Sequence, residues 1–247
     1  MHSERFIKLI VTGHVVEVYT YEKMPTPSKS KLHATGDPVE EQAEIQKTDD
    51  EFVEDVRGDK KQNSRRSRWN LIRLLNANFD ENSKFVTLTF ADNITDLDIA
   101  HKEFDKFMKR LKRRYGGFKY AAVVEFQKRG AVHYHFVSDL PYIPKDELAE
   151  IWRNGFVRIN NIAHVDNVGA YISKYMTKAE PDIRLRQRKN YFTSKNLDRP
   201  VIIRGDLADP LVEMWGLEQK KEVYTDSYIS EHHGKITYKQ FNLKREE

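Results

Sequence analysis

The sequence predicts an α+β protein whose central, mainly antiparallel β-sheet carries flanking helices, with β-hairpins near both ends of the chain. From Phe85 onward, apolar periodicity gives the order strand, helix, strand, strand, helix, strand, helix. Residues 6–11 and 15–19 are rich in β-branched and aromatic residues and flank a glycine-containing turn, which is typical of a hairpin. Residues 223–243 show the same pattern around His232-His233-Gly234.

The composition restricts the class of protein and the chemistry open to it. The 247 residues include 32% charged and 39% hydrophobic residues and no cysteine, so disulfides and thiolate zinc sites are excluded. No apolar run is long enough to cross a bilayer, and the first residues lack the apolar core of a signal peptide. We therefore expect a cytoplasmic protein with no membrane partner, in which any metal is held by His, Asp, Glu or carbonyl groups.

Charge is distributed unevenly along the chain. Lys and Arg total 42 against 38 Asp and Glu, for a formal charge of +4, and acidic residues concentrate between 37 and 59. A basic body with an acidic loop indicates a polyanionic partner, although basic helix faces are also common as plain solvated surfaces. The basic clusters are Lys60, Lys61, Arg65, Arg66 and Arg68; Lys109, Arg110, Lys112, Arg113 and Arg114; and Arg184, Arg186, Arg188 and Lys189.

Four regions follow from these patterns. Residues 1–23 are predicted to form the N-terminal β-hairpin. Residues 24–64 lose periodicity and contain prolines and few large apolar residues, so they are predicted to be a flexible loop or linker. Residues 65–200 form the main domain, and residues 201–247 form a C-terminal extension with a β-hairpin.

The elements of the main domain are predicted from helical or alternating apolar patterns and from residues that cap helices. In order they are a basic amphipathic helix at 67–76, a strand at 85–90, a helix at 96–115, strands at 118–126 and 132–137 around a turn at 127–130, a helix at 144–152, a strand at 156–159 and a helix that Asp166 or Asn167 caps and that runs to about Lys178.

His133 and His135 lie two residues apart within a predicted strand. Because strand side chains alternate between faces, both imidazoles project to one side of the sheet and Tyr134 projects to the other. Two imidazoles on one face can bind a divalent metal. Taken alone the pair is a weak signal, and ordinary surface or core histidines are the alternative interpretation.

Glu125 strengthens the prediction of a metal site. It lies near the end of the preceding strand, which the turn at 127–130 folds against the histidine strand. A carboxylate beside two imidazoles gives a three-ligand set of intermediate hardness, suited to Mn²⁺ or Mg²⁺. Gln127, on the same strand face, is the alternative ligand, and a solvated acid is the alternative interpretation of Glu125.

Tyr171 and Tyr175 are four residues apart in a predicted helix, so both phenols share one helical face, with Lys174 beside it. A phenol has a pKa near about 10, so a nucleophilic tyrosine needs nearby positive charge. Lys174 and the metal can supply that charge. Core packing is the alternative interpretation, because it is the commoner role of tyrosines at helical spacing.

Together these pieces give the chain a resemblance to a known family. An apolar strand, then Glu125-x-Gln127-x-Arg129-Gly130-x-x-His133-Tyr134-His135, then Tyr171-x-x-Lys174-Tyr175, resembles the HUH endonucleases, named for His-hydrophobic-His. Within that family the chain is similar to the rolling-circle replication initiators of bacteriophages and plasmids. The tyrosine pair is similar to that of isometric single-stranded DNA phages, and the resemblance covers residues 65–200, including the segment 188–200.

The resemblance implies a fold and a reaction. Residues 65–200 would form an HUH nuclease domain with a ferredoxin-like sheet, which nicks and joins single-stranded origin DNA through a 5′-phosphotyrosine. A divalent metal (Mn²⁺ or Mg²⁺) on His133, His135 and Glu125 would bind the scissile phosphate. Tyr171 or Tyr175 would attack, with Tyr171 as the first choice, and Lys174 would stabilise the developing charge.

The resemblance also implies partners. They are single-stranded origin DNA, a host helicase and a host DNA polymerase, in the cytoplasm of a bacterial cell. The chain lacks a Gly-x-x-x-x-Gly-Lys-Ser/Thr loop, so strand separation would need the separate helicase. The side chains predicted to contact DNA are Arg65, Arg66, Arg68, Lys109, Arg110, Lys112, Arg113, Arg114, Arg129, Arg184, Arg186 and Arg188.

Two other functions are compatible with parts of the pattern. A relaxase or transposase of the HUH class would use the same residues on a different DNA. A non-catalytic nucleic-acid-binding protein would account for the basic clusters, but not for the co-occurrence of the histidine pair and the tyrosine pair.

Overall fold

A computed structural model describes residues 6–23, 60–176 and 191–245. These residues form two five-stranded antiparallel sheets and five α-helices, which confirms the predicted α+β class. None of the described helices is both long and apolar enough to span a bilayer. The strands are β1 (Phe6–Thr12), β2 (Val15–Tyr21), β3 (Lys84–Phe90), β4 (Tyr120–Phe126), β5 (Val132–Ser138), β6 (Gly155–Asn161), β7 (Tyr191–Thr193), β8 (Val201–Arg204), β9 (Tyr224–Ser230) and β10 (Gly234–Asn242). The helices are α1 (Lys60–Asn78), α2 (Leu97–Tyr115), α3 (Lys145–Trp152), α4 (Val168–Ser173) and α5 (Asp209–Met214), with 3₁₀ turns at Lys174–Met176 and Gly205–Leu207.

The main sheet has the strand order β6-β3-β5-β4-β7. Its first four strands and two helices follow the chain order β3, α2, β4, β5, α3, β6, which is the ferredoxin-like β-α-β-β-α-β arrangement. Helices α2 and α3 cover one face of this sheet, where Leu88, Tyr134 and Phe136 are fully buried. Helices α1 and α4 cover the other face around Phe85 and Val137.

Local sequence explains why α2 forms where it does. The Asp96 carboxylate caps the helix by accepting hydrogen bonds from the backbone N–H groups of Asp98 and Ile99. Phe104, Phe107 and Leu111 recur at helical spacing and are buried against the sheet, and the helix ends before Gly116 as predicted.

The second sheet, ordered β8-β1-β2-β10-β9, joins the two ends of the described chain. The predicted hairpins are β1–β2 and β9–β10, and they pair with each other through β2 and β10. One face of this sheet packs Leu9, Val16 and Phe241 against Val212 of α5. The N-terminal and C-terminal hairpins therefore form a single structural layer.

Several predicted boundaries change. Helix α1 begins at Lys60, so the predicted loop at 24–64 extends too far. Residues 60–66 contain Lys, Gln and Arg and no Gly or Pro, and such residues support a helix. The rest of that loop lies outside the described residues. Asn167 caps α4 by accepting from the Ala170 N–H, but regular helix ends at Ser173, and residues 177–178 lie outside the described residues.

A buried ion pair connects the second sheet to α1. Arg73 of α1 donates two hydrogen bonds to the Glu17 carboxylate of β2, at 2.8 and 2.7 Å, and a third to the Tyr19 hydroxyl at 2.8 Å. Only 2% of the Glu17 side chain is exposed. Because a buried carboxylate without a partner is costly, this pair fixes how the sheet sits on α1.

Removing Arg73 while keeping Glu17 is expected to destabilise the protein strongly. Arg73→Met should lower the free energy of unfolding by about 3 kcal/mol, because it leaves Glu17 buried and unpaired. The double variant Glu17→Leu/Arg73→Met should lose less than the single variant. Lys106→Met, which breaks an exposed Lys106–Glu103 pair, should cost less than about 1 kcal/mol. Urea denaturation measures all three, and equal losses for Arg73→Met and Lys106→Met would contradict the expectation.

Candidate metal centre and tyrosine pair

The register of three neighbouring strands assembles the candidate metal centre. Strand β5 lies between β3 and β4, and His133 stands directly opposite Thr89 on β3 and Glu125 on β4. His135 stands opposite Thr87 on β3. Residues directly opposite each other in antiparallel strands share a face, so these five side chains line one patch of the sheet.

Tyr134, between the two histidines, projects to the opposite face as predicted. It is fully buried, its ring stacks on Phe104 with 4.4 Å between centroids, and its hydroxyl lies 2.6 Å from Nδ1 of His101. The middle residue of the motif is therefore part of the core beneath α2. Its packing anchors β5 and keeps both histidines on the other face.

Glu125, His133 and His135 form a group suited to a metal ion. One ligand atom from each lies within 4.8 Å of the other two, and Nε2 of His135 is 2.9 Å from Oε2 of Glu125. His135 is buried, whereas Glu125 and His133 are partly exposed, so the group opens to solvent on one side. Two imidazoles and a carboxylate are a common ligand set for divalent transition metals.

Thr87 and Thr89 orient the two imidazoles, and sequence reasoning missed both. The Thr87 hydroxyl lies 3.0 Å from Nδ1 of His135, and the Thr89 hydroxyl lies 2.7 Å from Nε2 of His133. Partners of this kind fix the ring orientation of metal-binding histidines. The signal available in the sequence is the matching spacing of Thr87-x-Thr89 and His133-x-His135, but it has meaning only once β3 and β5 are known to pair.

The tyrosine pair lies over the same patch. The Tyr175 ring lies 4.1 Å from the His135 ring, measured between centroids, and 5.3 Å from Phe85. Tyr171 meets Phe85 edge-on at 5.6 Å and lies 6.2 Å from Tyr175. Lys174 Nζ lies 5.6 Å from the centre of the Tyr171 ring. The structure thus brings the predicted metal ligands and the predicted nucleophiles together, with Tyr175 in contact with the histidines.

The surroundings of Tyr175 favour its protonated form in the metal-free protein. Burial, a hydrogen bond with Tyr171 and the negative charge of Glu125 raise the pKa of Tyr175 to about 12, against the opposing effect of the Arg158 guanidinium. A nucleophilic phenolate at this position therefore needs more positive charge than the metal-free chain supplies. Arg158, on β6, was not among the residues predicted from the sequence.

A close contact between α1 and α4 positions the tyrosines. The Asn76 side-chain oxygen accepts a 2.7 Å hydrogen bond from the Gly169 N–H, which is buried. A Cβ atom added to Gly169 would overlap the carbonyl oxygen of Ile72. Only glycine therefore permits α4 to approach α1 this closely, and this approach sets the position of Tyr171 and Tyr175 above the sheet.

Most of the predicted DNA-binding residues lie away from this patch. Arg110, Lys109, Lys112, Arg113 and Arg114 are on α2, which covers the other face of the sheet. Arg110 donates to the carbonyls of Ile151 and Trp152, and Arg114 pairs with Glu147 at 2.8 Å. The sequence clusters are therefore partly explained by contacts within the protein.

The other predicted DNA-binding residues fall in three places. Arg129 sits in the turn between β4 and β5, where it donates to the Gln127 side chain at 3.0 Å and to the Phe90 carbonyl at 2.7 Å. Arg65, Arg66 and Arg68 belong to α1. Arg184, Arg186 and Arg188 lie outside the described residues.

Comparison with known proteins gives one match. A family model of replication-associated proteins of the ORF2 type matches residues 83–180, which is less than half of the chain. The matched segment runs from the start of β3 to beyond the 3₁₀ turn that carries Tyr175, so it includes the candidate metal centre and the tyrosine pair. No curated protein and no solved structure matches.

Replacing Gly169 by alanine is expected to push α4 away from α1. The overlap with Ile72 should lower the free energy of unfolding by about 2 kcal/mol, and it should also separate the Tyr175 and His135 rings. Gly117→Ala is the matched control, because a Cβ atom there meets nothing within 4 Å. Urea denaturation of the two variants measures the difference, and unchanged stability in Gly169→Ala would contradict the contact.

Metal binding should distinguish Glu125 from Gln127 as the third ligand. Mn²⁺ at about one hundred times its Kd is expected to stabilise the protein by about 3 kcal/mol, because the ion binds only the folded chain. Glu125→Gln should lose most of this effect, whereas Gln127→Ala should retain it. Thermal denaturation and isothermal titration calorimetry measure both variants, and the reverse order would assign the ligand to Gln127.

Proposed function

We propose that the chain is a metal-dependent endonuclease that nicks and rejoins single-stranded origin DNA to initiate rolling-circle replication. The nuclease domain spans residues 65–200, with His133, His135 and Glu125 as metal ligands and Tyr171 and Tyr175 as nucleophiles. The observation that carries the proposal is the 4.1 Å approach of the Tyr175 ring to His135, within a three-ligand cluster. The match to the replication-associated family over residues 83–180 supports a role in replication.

The proposed reaction is a phosphoryl transfer to tyrosine. The tyrosine hydroxyl gives up its proton, and its oxygen forms a bond to the scissile phosphorus. The bond from phosphorus to the 3′ oxygen of the preceding nucleotide breaks, and that oxygen takes up a proton to leave a 3′-hydroxyl. The product is a 5′-phosphotyrosine, and the reverse reaction with another 3′-hydroxyl joins strands.

The chain's own residues contribute position and charge. Thr87 and Thr89 hold the two imidazoles, and Asn76 and Gly169 hold the tyrosine helix above them. A bound Mn²⁺ or Mg²⁺ would supply Lewis-acid polarisation of the scissile phosphate. Lys174, whose ammonium lies over the Tyr171 ring, is placed to stabilise a phenolate or a phosphate charge at that tyrosine.

Either tyrosine is proposed to act as the nucleophile. Tyr171 is the first choice by family resemblance, whereas Tyr175 lies closer to the histidines in the metal-free protein. Two nucleophiles on one helical segment allow one tyrosine to hold the cut strand while the other cuts the regenerated origin. A host polymerase would extend the 3′-hydroxyl, and a host helicase would separate the strands in the bacterial cytoplasm.

The polarity of the covalent adduct tests the proposal. A randomised pool of single-stranded oligonucleotides, incubated with Mn²⁺, should transfer a 3′-end label to the protein but not a 5′-end label. The double variant Tyr171→Phe/Tyr175→Phe should reduce the adduct by at least about a thousandfold, because it removes both nucleophiles. Denaturing gel electrophoresis detects the adduct, and mass spectrometry of the labelled peptide identifies the tyrosine.

Two controls separate the proposal from the alternatives. Tyr142→Phe, which changes an exposed tyrosine outside the patch, should leave the adduct unchanged. An adduct that survives in the double variant would exclude these tyrosines as nucleophiles, and one that survives EDTA would exclude the metal. Wild-type protein that binds the pool without forming an adduct would favour a non-catalytic nucleic-acid-binding protein.

A further inference from the structure

Two residues of edge strand β6 lie on the same sheet face as the candidate metal centre. In the pairing of β6 with β3, Phe156 stands opposite Thr89 and Arg158 stands opposite Thr87. Thr89 and Thr87 in turn stand opposite His133 and His135. Two rows of cross-strand neighbours therefore run from β6 across the sheet to the histidines.

The packing of β6 fixes the direction of these side chains. Val157, between them, is buried in the core beneath α2 and α3, and Ile159 packs against the same core. Because side chains alternate along a strand, Phe156 and Arg158 project to the metal face. Gly155 holds the start of the strand in place, since a Cβ atom there would overlap the backbone of Thr89 and Ala91.

Both side chains are available to a ligand. Phe156 is 71% exposed, although it stands beside a buried part of the sheet, and Arg158 is also exposed. Strand β6 contains no acidic residue, and it forms an edge of its sheet. The result is an open strip of one aromatic ring and one cation, two residues apart, that borders the candidate metal centre.

We propose that Phe156 and Arg158 form a subsite for single-stranded DNA, in which Phe156 stacks on a base next to the scissile phosphate and Arg158 pairs with a backbone phosphate. The proposal rests on the proposed nicking function and adds the path of the strand across β6. Aromatic stacking accepts any base, and a guanidinium matches the geometry of a phosphate. An exposed phenylalanine beside an arginine therefore fits a polyanion that carries flat apolar bases.

Binding without metal tests the subsite separately from the chemistry. The probes are a fluorescein-labelled 20-nucleotide oligothymidine and a 20-nucleotide strand with the same backbone but abasic sites, in a buffer with EDTA. Phe156→Ala should weaken oligothymidine binding about tenfold or more and leave the abasic strand unaffected, because it removes only the stacking surface. Phe156→Trp should restore the affinity for oligothymidine. Arg158→Gln should weaken binding of both strands and reduce the salt dependence of the affinity.

Tyr142→Ala is the matched control, since it removes an 80% exposed aromatic ring elsewhere on the surface, and it should change neither affinity. Fluorescence anisotropy gives the affinities, and unchanged melting temperatures confirm that the variants fold. The subsite is overturned if wild type does not bind oligothymidine, or if Phe156→Ala binds both strands as wild type does. It is also overturned if Phe156→Ala abolishes self-association of the protein and leaves DNA affinity intact, because the ring then serves a protein interface.

The outcomes for the subsite and for the proposed nicking function are distinguishable. Phe156-dependent binding without any covalent adduct would keep the subsite and reject the nicking function. A covalent adduct formed by a protein whose binding ignores Phe156 would keep the nicking function and reject the subsite.

Discussion

The antiparallel register of β3, β5 and β4 is the constraint on which the candidate site depends. It sets Thr89, His133 and Glu125 in one cross-strand row and Thr87 and His135 in the next. A slip of one residue would send both histidines into the core and expose Tyr134. The cost of exposing Tyr134, which is buried and hydrogen-bonded through its hydroxyl, therefore maintains the geometry of the ligands on the other face.

Helix α1 connects this site to the rest of the described chain. Leu71 and Leu75 pack against the metal face of the main sheet, and Arg73 pairs with Glu17 of the second sheet. Through Asn76 the same helix holds Gly169, at the start of the tyrosine helix. One helix thus supports the nucleophile segment and both sheets, so the hairpins at the two ends of the described chain contribute indirectly to the position of the tyrosines.

Sequence reasoning succeeded where the determinants are local. The Asp96 and Asn167 caps, the alternation that separates Tyr134 from its histidine neighbours and the turn that folds Glu125 toward His133 all depend on residues close together in the chain. These determinants were enough to predict the fold class and to select the residues that the structure brings together.

Determinants far apart in the chain could not be read in the same way. The roles of Thr87 and Thr89 depend on which strands pair, and the union of the two hairpins depends on contact between β2 and β10. The basic cluster of α2 was misleading as a guide to the site. Its charges are conspicuous in the sequence, but its apolar stripe places the helix behind the sheet. Arg158 and Phe156 were overlooked because one cation and one aromatic ring have no signal until the register places them beside the histidines.

The central claim is that the cross-strand cluster is a metal centre in contact with the tyrosine pair. Crystals soaked in Mn²⁺ and measured at the manganese absorption edge test it most directly. The account predicts an anomalous peak within coordination distance of His133, His135 and Glu125, on the sheet face that Tyr175 covers. The account would be contradicted if the cluster showed no peak at saturating Mn²⁺, or if the ion were bound without either histidine.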